Sequence, residues 1–484
     1  MTNIRQKTEQ GIKWSGIDQI FRLVVTIGIS AFLARFVAPA EFGLFAMVTI
    51  ITGFLSVFKD FGLGNVIIYK TDITHREINS IFWVNNGIAG LIGLGLFIGA
   101  PWVADFYKEE KLTALTQAMA ILFMLGGLGS IPEALIRKNI DFKRLFTINI
   151  TNQLLSGLIA GFCAYQGLGV WALVIQLYIS TLAGTYLSYR MVAWRPKWVK
   201  PEWNLLKPFF SYSLPLFGEN TINYWVRNID NLLIGKWLGE QTLGYYSRAY
   251  NLMLLPVRQI SGAIIRVVFP AFSQVKHDKD KVWTNYKRLL NITSFITFPL
   301  MACMYLLGEE IILTVYGKNW LAAVPMFQAL CFLGAAQSIG TYCGSIFSSQ
   351  GRTSLQFKIG LFVKPFLIMG IVTGLYINGI MGLIIGYTLT NILAFFIESY
   401  FVMQVLEKKF FLFFSTFHKE LICTFVALVI SYFLKNQVSS TNVTLNFLIV
   451  LLAGGLTYMA IAIALKTEGV LFIKEKIYGV KANS

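Results

Sequence analysis

Fourteen apolar stretches follow one another through this 484-residue chain, separated only by short polar loops. They cover 15–37, 42–60, 78–104, 113–135, 146–165, 169–190, 206–235, 242–269, 289–313, 322–347, 358–377, 379–404, 418–435 and 444–466. A helix needs about 20 apolar residues to cross a bilayer. Hydrocarbon offers the backbone no hydrogen-bond partner, so a lone apolar segment must satisfy its own N–H and C=O groups by coiling into a helix. Composition agrees: 13% of the residues are charged, against about 25% in a soluble domain. The expectation is an all-α integral membrane protein with about 14 transmembrane helices. The start, Met1 to Lys13, is polar and basic and runs into the first stretch without a small-residue cleavage site, so the first helix is expected to direct insertion itself.

The net charge of +17 would suit a nucleic-acid partner if it were gathered on one face. It is instead distributed by loop. Of 41 Lys and Arg, 28 fall in the two terminal segments and the loops that follow even-numbered stretches, and five (Lys108, Lys111, Lys236, Lys318, Lys435) in the opposite loops. Such a bias places the rich side in the cytoplasm. Both termini are therefore expected to be cytoplasmic, in a multi-pass protein of the cytoplasmic (inner) membrane, and no nucleic-acid partner is expected. Five Cys at unrelated spacings and three scattered His offer no metal cluster. The run Gly90–Gly99 lacks a P-loop lysine and lies inside a span. With no nucleophile–base arrangement in any loop, neither a cofactor nor an enzyme is expected.

An internal repeat divides the chain. Arg35-Phe-Val-Ala-Pro-Ala-Glu-Phe-Gly-Leu-Phe45 has a counterpart in Lys236-Trp-Leu-Gly-Glu-Gln-Thr-Leu-Gly-Tyr-Tyr246, and Gly169-Val-Trp-Ala-Leu-Val-Ile175 in Gly379-Ile-Met-Gly-Leu-Ile-Ile385. Each pair is six spans apart, an even offset that preserves orientation. Parallel repeats of this kind place a transporter's substrate site between halves. The expected organisation is an N-terminal lobe at 1–190, a cytoplasmic linker at 191–207, a C-terminal lobe at 208–404, and two further helices with a tail at 405–484. Gly95/Gly99, Gly157/Gly161, Gly370/Gly374 and Gly382/Gly386 have the spacing that lets membrane helices approach closely.

Charges left inside the spans mark the candidate site, because an intramembrane charge is costly unless it faces protein or water. At 100° per residue, Glu219, Asn223, Arg227 and Asp230 fall within about 80° of arc on the seventh helix. Arg248 and Arg266 share an azimuth on the eighth, with Arg258 between them in height. Asp18 and Arg22 form an i,i+4 pair on the first helix. Lys364 precedes Pro365, and Asp60, Glu133 and Glu398 are further acids within the spans. A cavity lined by Arg22, Arg227, Arg248, Arg258, Arg266 and Lys364 would suit an anionic head group, since guanidinium matches phosphate oxygens bidentately. Asp18, Glu219 and Asp230 are candidate ion-coupling carboxylates. Structural ion pairing within the helices, and snorkelling of the cations near helix ends, account for the same residues without a substrate.

Several segments together resemble a known family: Ala34–Leu44, Asp60-Phe-Gly-Leu, Asp141-Phe-Lys-Arg144, Gly167-Leu-Gly-Val-Trp-Ala-Leu173, Asp230-Asn-Leu-Leu-Ile-Gly235, Leu243-Gly-Tyr-Tyr-Ser-Arg-Ala-Tyr250 and Val268-Phe-Pro-Ala-Phe-Ser273. The chain resembles bacterial polysaccharide and O-antigen flippases of the multidrug/oligosaccharidyl-lipid/polysaccharide exporter superfamily, and within them the colanic acid and teichuronic acid exporters. The resemblance implies two six-helix lobes plus two helices, working by alternating access on an undecaprenyl-pyrophosphate-linked oligosaccharide. It also implies membrane lipids, a polysaccharide polymerase and glycosyltransferases as partners. It carries over no residue-level role. A drug/cation antiporter of the same superfamily and a non-transporting scaffold of an assembly complex stay open beside it.

Overall fold

A computed structural model describes residues 2–60, 67, 73–138, 142–200, 203–275, 277–437 and 443–478. Side chains are described for all of these except 2–15, 17, 20, 59, 60, 142, 203–217, 219, 262–271, 273, 274, 443–448, 473 and 475–478. Helix occupies every stretch read as a span. The chain forms two compact units, Met1–Gly244 and Tyr245–Ser484.

In the first unit, α1 (Thr2–Phe36) and α2 (Pro39–Asp60) are joined by two residues. Then follow α3 (His75–Ile98), α4 (Ala100–Tyr107), α5 (Lys111–Gly126), α6 (Ser130–Lys138), α7 (Phe142–Tyr165) and α8 (Val170–Met191). Local chemistry sets these boundaries. Thr74 and Glu77 form a reciprocal capping box at the start of α3, the Glu77 N–H donating to Thr74 Oγ1 at 3.2 Å and the Thr74 N–H to Glu77 Oε2 at 2.9 Å. Between α5 and α6 the chain bends by 43°. That bend sits at Gly127–Gly129, where Asn86 and Thr185 crowd the backbone. Pro132 falls in the first turn of α6, where a missing N–H costs nothing.

The long helix α9 (Trp203–Gln274) begins in the first unit and ends in the second. It is two spans, because Gly239 (φ 82, ψ 178) breaks the helical backbone. In the second unit come α10 (Lys279–Leu306), α11 (Gly308–Val315), a 3-10 turn (Lys318–Ala323), α12 (Val324–Gly340), α13 (Cys343–Ser349) and α14 (Thr353–Val405). The last of these is again two spans, parted at Asn378 (φ -145, ψ 40) and Gly379 (φ 51, ψ -135). A short turn α15 (Phe411–Phe414), α16 (His418–Gln437), α17 (Val443–Ala464) and α18 (Glu468–Tyr478) complete the described chain.

Eight of the described helices are long and apolar enough to cross a membrane by composition. The described side chains of the two α9 spans carry four charges, Arg227, Asp230, Arg248 and Arg258. Hydrophobicity is weakest where the candidate site is.

Glycine sets the close approaches. A Cβ on Gly43 would land on the Glu240 carbonyl, and one on Gly244 would land on the Pro39 carbonyl. Gly43 and Gly244 are equivalent in the repeat, and each faces the residue four positions before its counterpart, so the two segments cross reciprocally. Gly169 (φ 55, ψ -128) and Gly379 (φ 51, ψ -135), the other equivalent pair, share a backbone conformation open only to glycine. Within α14, Gly374 lies against Gly382 and Gly370 against Gly386, backbone to backbone. Gly157 and Gly161 take Ile29 and Phe32 of α1. Gly95, expected to serve packing, has nothing within 4 Å where its Cβ would be, because it sits on an exposed face of α3.

The second unit is knit by buried hydroxyls. Thr293 and Tyr342 meet at 3.0 Å and Thr297 and Ser338 at 2.9 Å, fixing α10 to the 341–342 turn and to α12. Helices α16 and α17 lie outside the repeat and dock on α10, where Tyr458 donates its hydroxyl to the Phe295 carbonyl at 2.9 Å. At the loop end of α16, Lys435 pairs with Glu310 at 2.8 Å.

Candidate functional site

The first cluster lies between α1 and α7. Asp18 is buried and pairs with Arg22 at 2.7 Å, as the i,i+4 spacing requires. Across the interface, Asn149 of α7 donates its amide to both Asp18 oxygens at 3.3 and 3.4 Å. Gln153 donates to Thr26 Oγ1 at 2.6 Å and to the Arg22 carbonyl at 3.3 Å. Asn149 and Gln153 were missed from sequence. Their signal was there: they too are four apart, the same rhythm as Asp18, Arg22 and Thr26, so two i,i+4 ladders face each other. The Asp18 carboxylate is thus held by one cation and one amide, while the Arg22 side chain stays half exposed.

On the first span of α9, residues drawn together by azimuth part company. Asp230 is buried, accepting from its neighbour Asn231 through the backbone N–H at 2.8 Å and the side-chain amide at 3.1 Å. Arg227 is exposed. On the same span, Tyr224 donates its hydroxyl to the Ile50 carbonyl of α2 at 2.5 Å over the gap left by Gly53. The side chain of Glu219 lies outside the described residues.

On the second span of α9, Arg248 is half-buried beside Tyr316, and Arg258 is exposed. The side chain of Arg266 lies outside the described residues. Lys364, half-buried over Gly360 on α14, lies close enough to Glu398 for the two charges to interact. Glu398 in turn faces Tyr286 and Cys343, which meet at 3.6 Å. This second charge cluster joins the two spans of α14 to α10 and α13, a link that helical phase alone does not reveal.

The candidate cations divide between the units: Arg22 and Arg227 in the first, Arg248, Arg258, Arg266 and Lys364 in the second. Among the described residues no three His, Cys, Asp or Glu side chains are placed to hold a metal ion. The five cysteines are free thiols, and Cys331, Cys343 and Cys423 are buried. Outside the spans, Glu109 lies against Glu240, and burial first and that second carboxylate next push its carboxyl above the usual range.

Comparison with known proteins points one way. The family described as polysaccharide biosynthesis protein matches residues 32–325. The chain is 26% identical over 407 residues to the lipopolysaccharide biosynthesis protein WzxC of Escherichia coli (strain K12), covering 83% of this chain and 82% of that one. It is 25% identical over 463 residues to the teichuronic acid biosynthesis protein TuaB of Bacillus subtilis (strain 168), covering 95% and 96%. Among solved structures, the inward closed conformation of the lipid II flippase MurJ superposes with a TM-score of 0.75 at 14% identity, over 93% of this chain and 98% of that one. That likeness is one of fold.

Proposed function

The chain belongs to the polysaccharide biosynthesis protein family, and from that membership we propose that it flips undecaprenyl-pyrophosphate-linked oligosaccharide units across the cytoplasmic membrane by alternating access. The single observation that carries the substrate class is the excess of arginine over carboxylate in the least apolar spans, those of α9. A pyrophosphate needs such cations, since a guanidinium meets its oxygens with two parallel donors. In this reading the repeat halves, 1–190 and 208–404 joined by 191–207, are the two lobes. Arg22, Arg227, Arg248, Arg258, Arg266 and Lys364 face substrate. Asp18, Glu219 and Asp230 couple transport to an ion. Residues 405–484 add two helices and a tail, both termini are cytoplasmic, and a polymerase and glycosyltransferases work beside the protein.

The reading is tested by surface-polymer export in cells whose own copy is deleted. The variant R227A/R258A, both exposed positions, is expected to reach the membrane at the normal level and to lose export at least tenfold. Undiminished export by that variant would remove these cations from the substrate path.

A further inference from the structure

Residues 192–200, the described part of the segment joining α8 to α9, form a strap without helix. Its course is fixed at both ends. Arg144 of α7 donates to the Met191 carbonyl at 2.9 Å where the strap begins. Further on, Trp83 Nε1 of α3 donates to the Lys197 carbonyl at 3.0 Å, and the Lys197 N–H donates to Asn79 Oδ1 at 3.1 Å, so one strap residue is held through both backbone groups. Trp194 turns inward, 7% exposed, among Ile78, Ile81, Phe82, Ile131 and Ala134. Four residues on, Trp198 turns outward, 76% exposed, its ring 4.7 Å from that of Trp83.

Among the described residues, the charges on the strap and at the adjoining ends of α7 and α8 are basic. Arg195, Lys197 and Lys200 on the strap are exposed, as are Arg190 at the end of α8 and Lys143 and Arg144 at the start of α7. Arg195 is oriented before any ligand arrives: its NH1 donates to the Val192 and Trp194 carbonyls at 2.6 and 2.8 Å, and its guanidinium lies 5.8 Å above the Tyr189 ring. The described acids nearby are engaged elsewhere. Glu133 pairs with Arg137 at 2.6 Å, and Glu77 closes the α3 capping box.

We propose that the strap is a binding surface for the phosphate of anionic phospholipids, with Trp198 seated at the interface and Arg195, Lys197 and Lys200 on the head group. An exposed indole flanked by cations is the combination that settles at a membrane–water boundary, apolar ring toward the acyl region and charges toward phosphate. Because the strap is pinned to α3 and α7, the bound lipid would anchor that end of the first unit. The side on which this happens rests on the cytoplasmic placement proposed for the linker; the binding itself does not.

The test uses the purified full-length protein in neutral detergent, with retained lipid counted by native mass spectrometry. The wild type is expected to hold phosphatidylglycerol in preference to phosphatidylcholine. R195A/K197A/K200A should bind phosphatidylglycerol roughly a hundredfold more weakly, at about fivefold per cation, with an unchanged melting temperature. W198A should weaken retention of both lipids alike. Equal retention of the two lipids by the wild type, or undiminished phosphatidylglycerol on the triple variant, would overturn the proposal. Full displacement by millimolar inorganic phosphate would overturn it too, by making the ligand a free anion. K197Q/K200Q, which keeps the Arg195 contacts to the strap, provides the same reading should the triple variant fold poorly. The measurement involves no transport, so its failure and that of the flippase reading are separable.

Discussion

The asymmetry of the Asp18–Arg22 pair decides what each side chain contributes. The carboxylate is buried and the guanidinium half exposed. Removing Arg22 strands a buried charge on the single amide of Asn149, whereas removing Asp18 leaves an arginine that water reaches. R22A is therefore expected to cost about 1–3 kcal/mol, more than D18N, and the double variant D18N/R22A should recover part of the loss. Thermal midpoints of the three variants in detergent check this; simple additivity would mean that the pair is not coupled. The pair was legible in sequence because both partners share one helix. Asn149 and Gln153 were not assigned, nor was the Lys364–Glu398 neighbourhood, because each needs a second backbone path brought alongside. The split between Arg227 and Asp230 shows the same limit. Azimuth on one helix says which residues share an arc, and only the neighbouring helices decide that Asp230 is covered while Arg227 is not.

Among the elements, breaks carry as much information as helices. The sequence reading parted the spans of α14 between 377 and 379, and the backbone leaves the helix at Asn378 and Gly379. It left 236–241 between the spans of α9, and Gly239 is the break. These boundaries were readable because polar residues and glycine interrupt the apolar runs. Which glycines pack was less readable, since small-xxx-small spacing names a surface without naming its partner. Gly43 and Gly95 make the contrast measurable. G43A places a methyl on the Glu240 carbonyl and is expected to destabilise by about 1–3 kcal/mol, as overpacking does. G95A meets nothing and should be neutral or stabilising by up to about 1 kcal/mol, the helix-propensity gain over glycine. Equal melting temperatures for the two variants would show that the reciprocal crossing of 39–43 with 240–244 bears no load.

Over the whole molecule, the repeat and the compact units divide the chain at different places. Sequence equivalence points to a junction at 191–207, whereas packing draws the first span of α9 into the first unit through Tyr224 on α2 and the Gly43–Glu240 crossing, so the unit ends at Gly244. A repeat describes which segments are alike; compactness describes which touch. The all-α membrane class was legible from apolar length alone, because bilayer thickness and backbone hydrogen bonding leave one solution. The central claim, that the protein moves a lipid-linked oligosaccharide, is met most directly in vesicles. Purified protein is reconstituted with a fluorescent undecaprenyl-pyrophosphate-linked oligosaccharide, and a membrane-impermeant quencher reads how much label reaches the outer leaflet. The account predicts that protein alone raises the accessible fraction from about half toward completeness within minutes, as for any lipid first distributed equally between leaflets and then exchanged, and that R227A/R258A slows it at least tenfold. Label that stays half protected with folded wild-type protein present would contradict it.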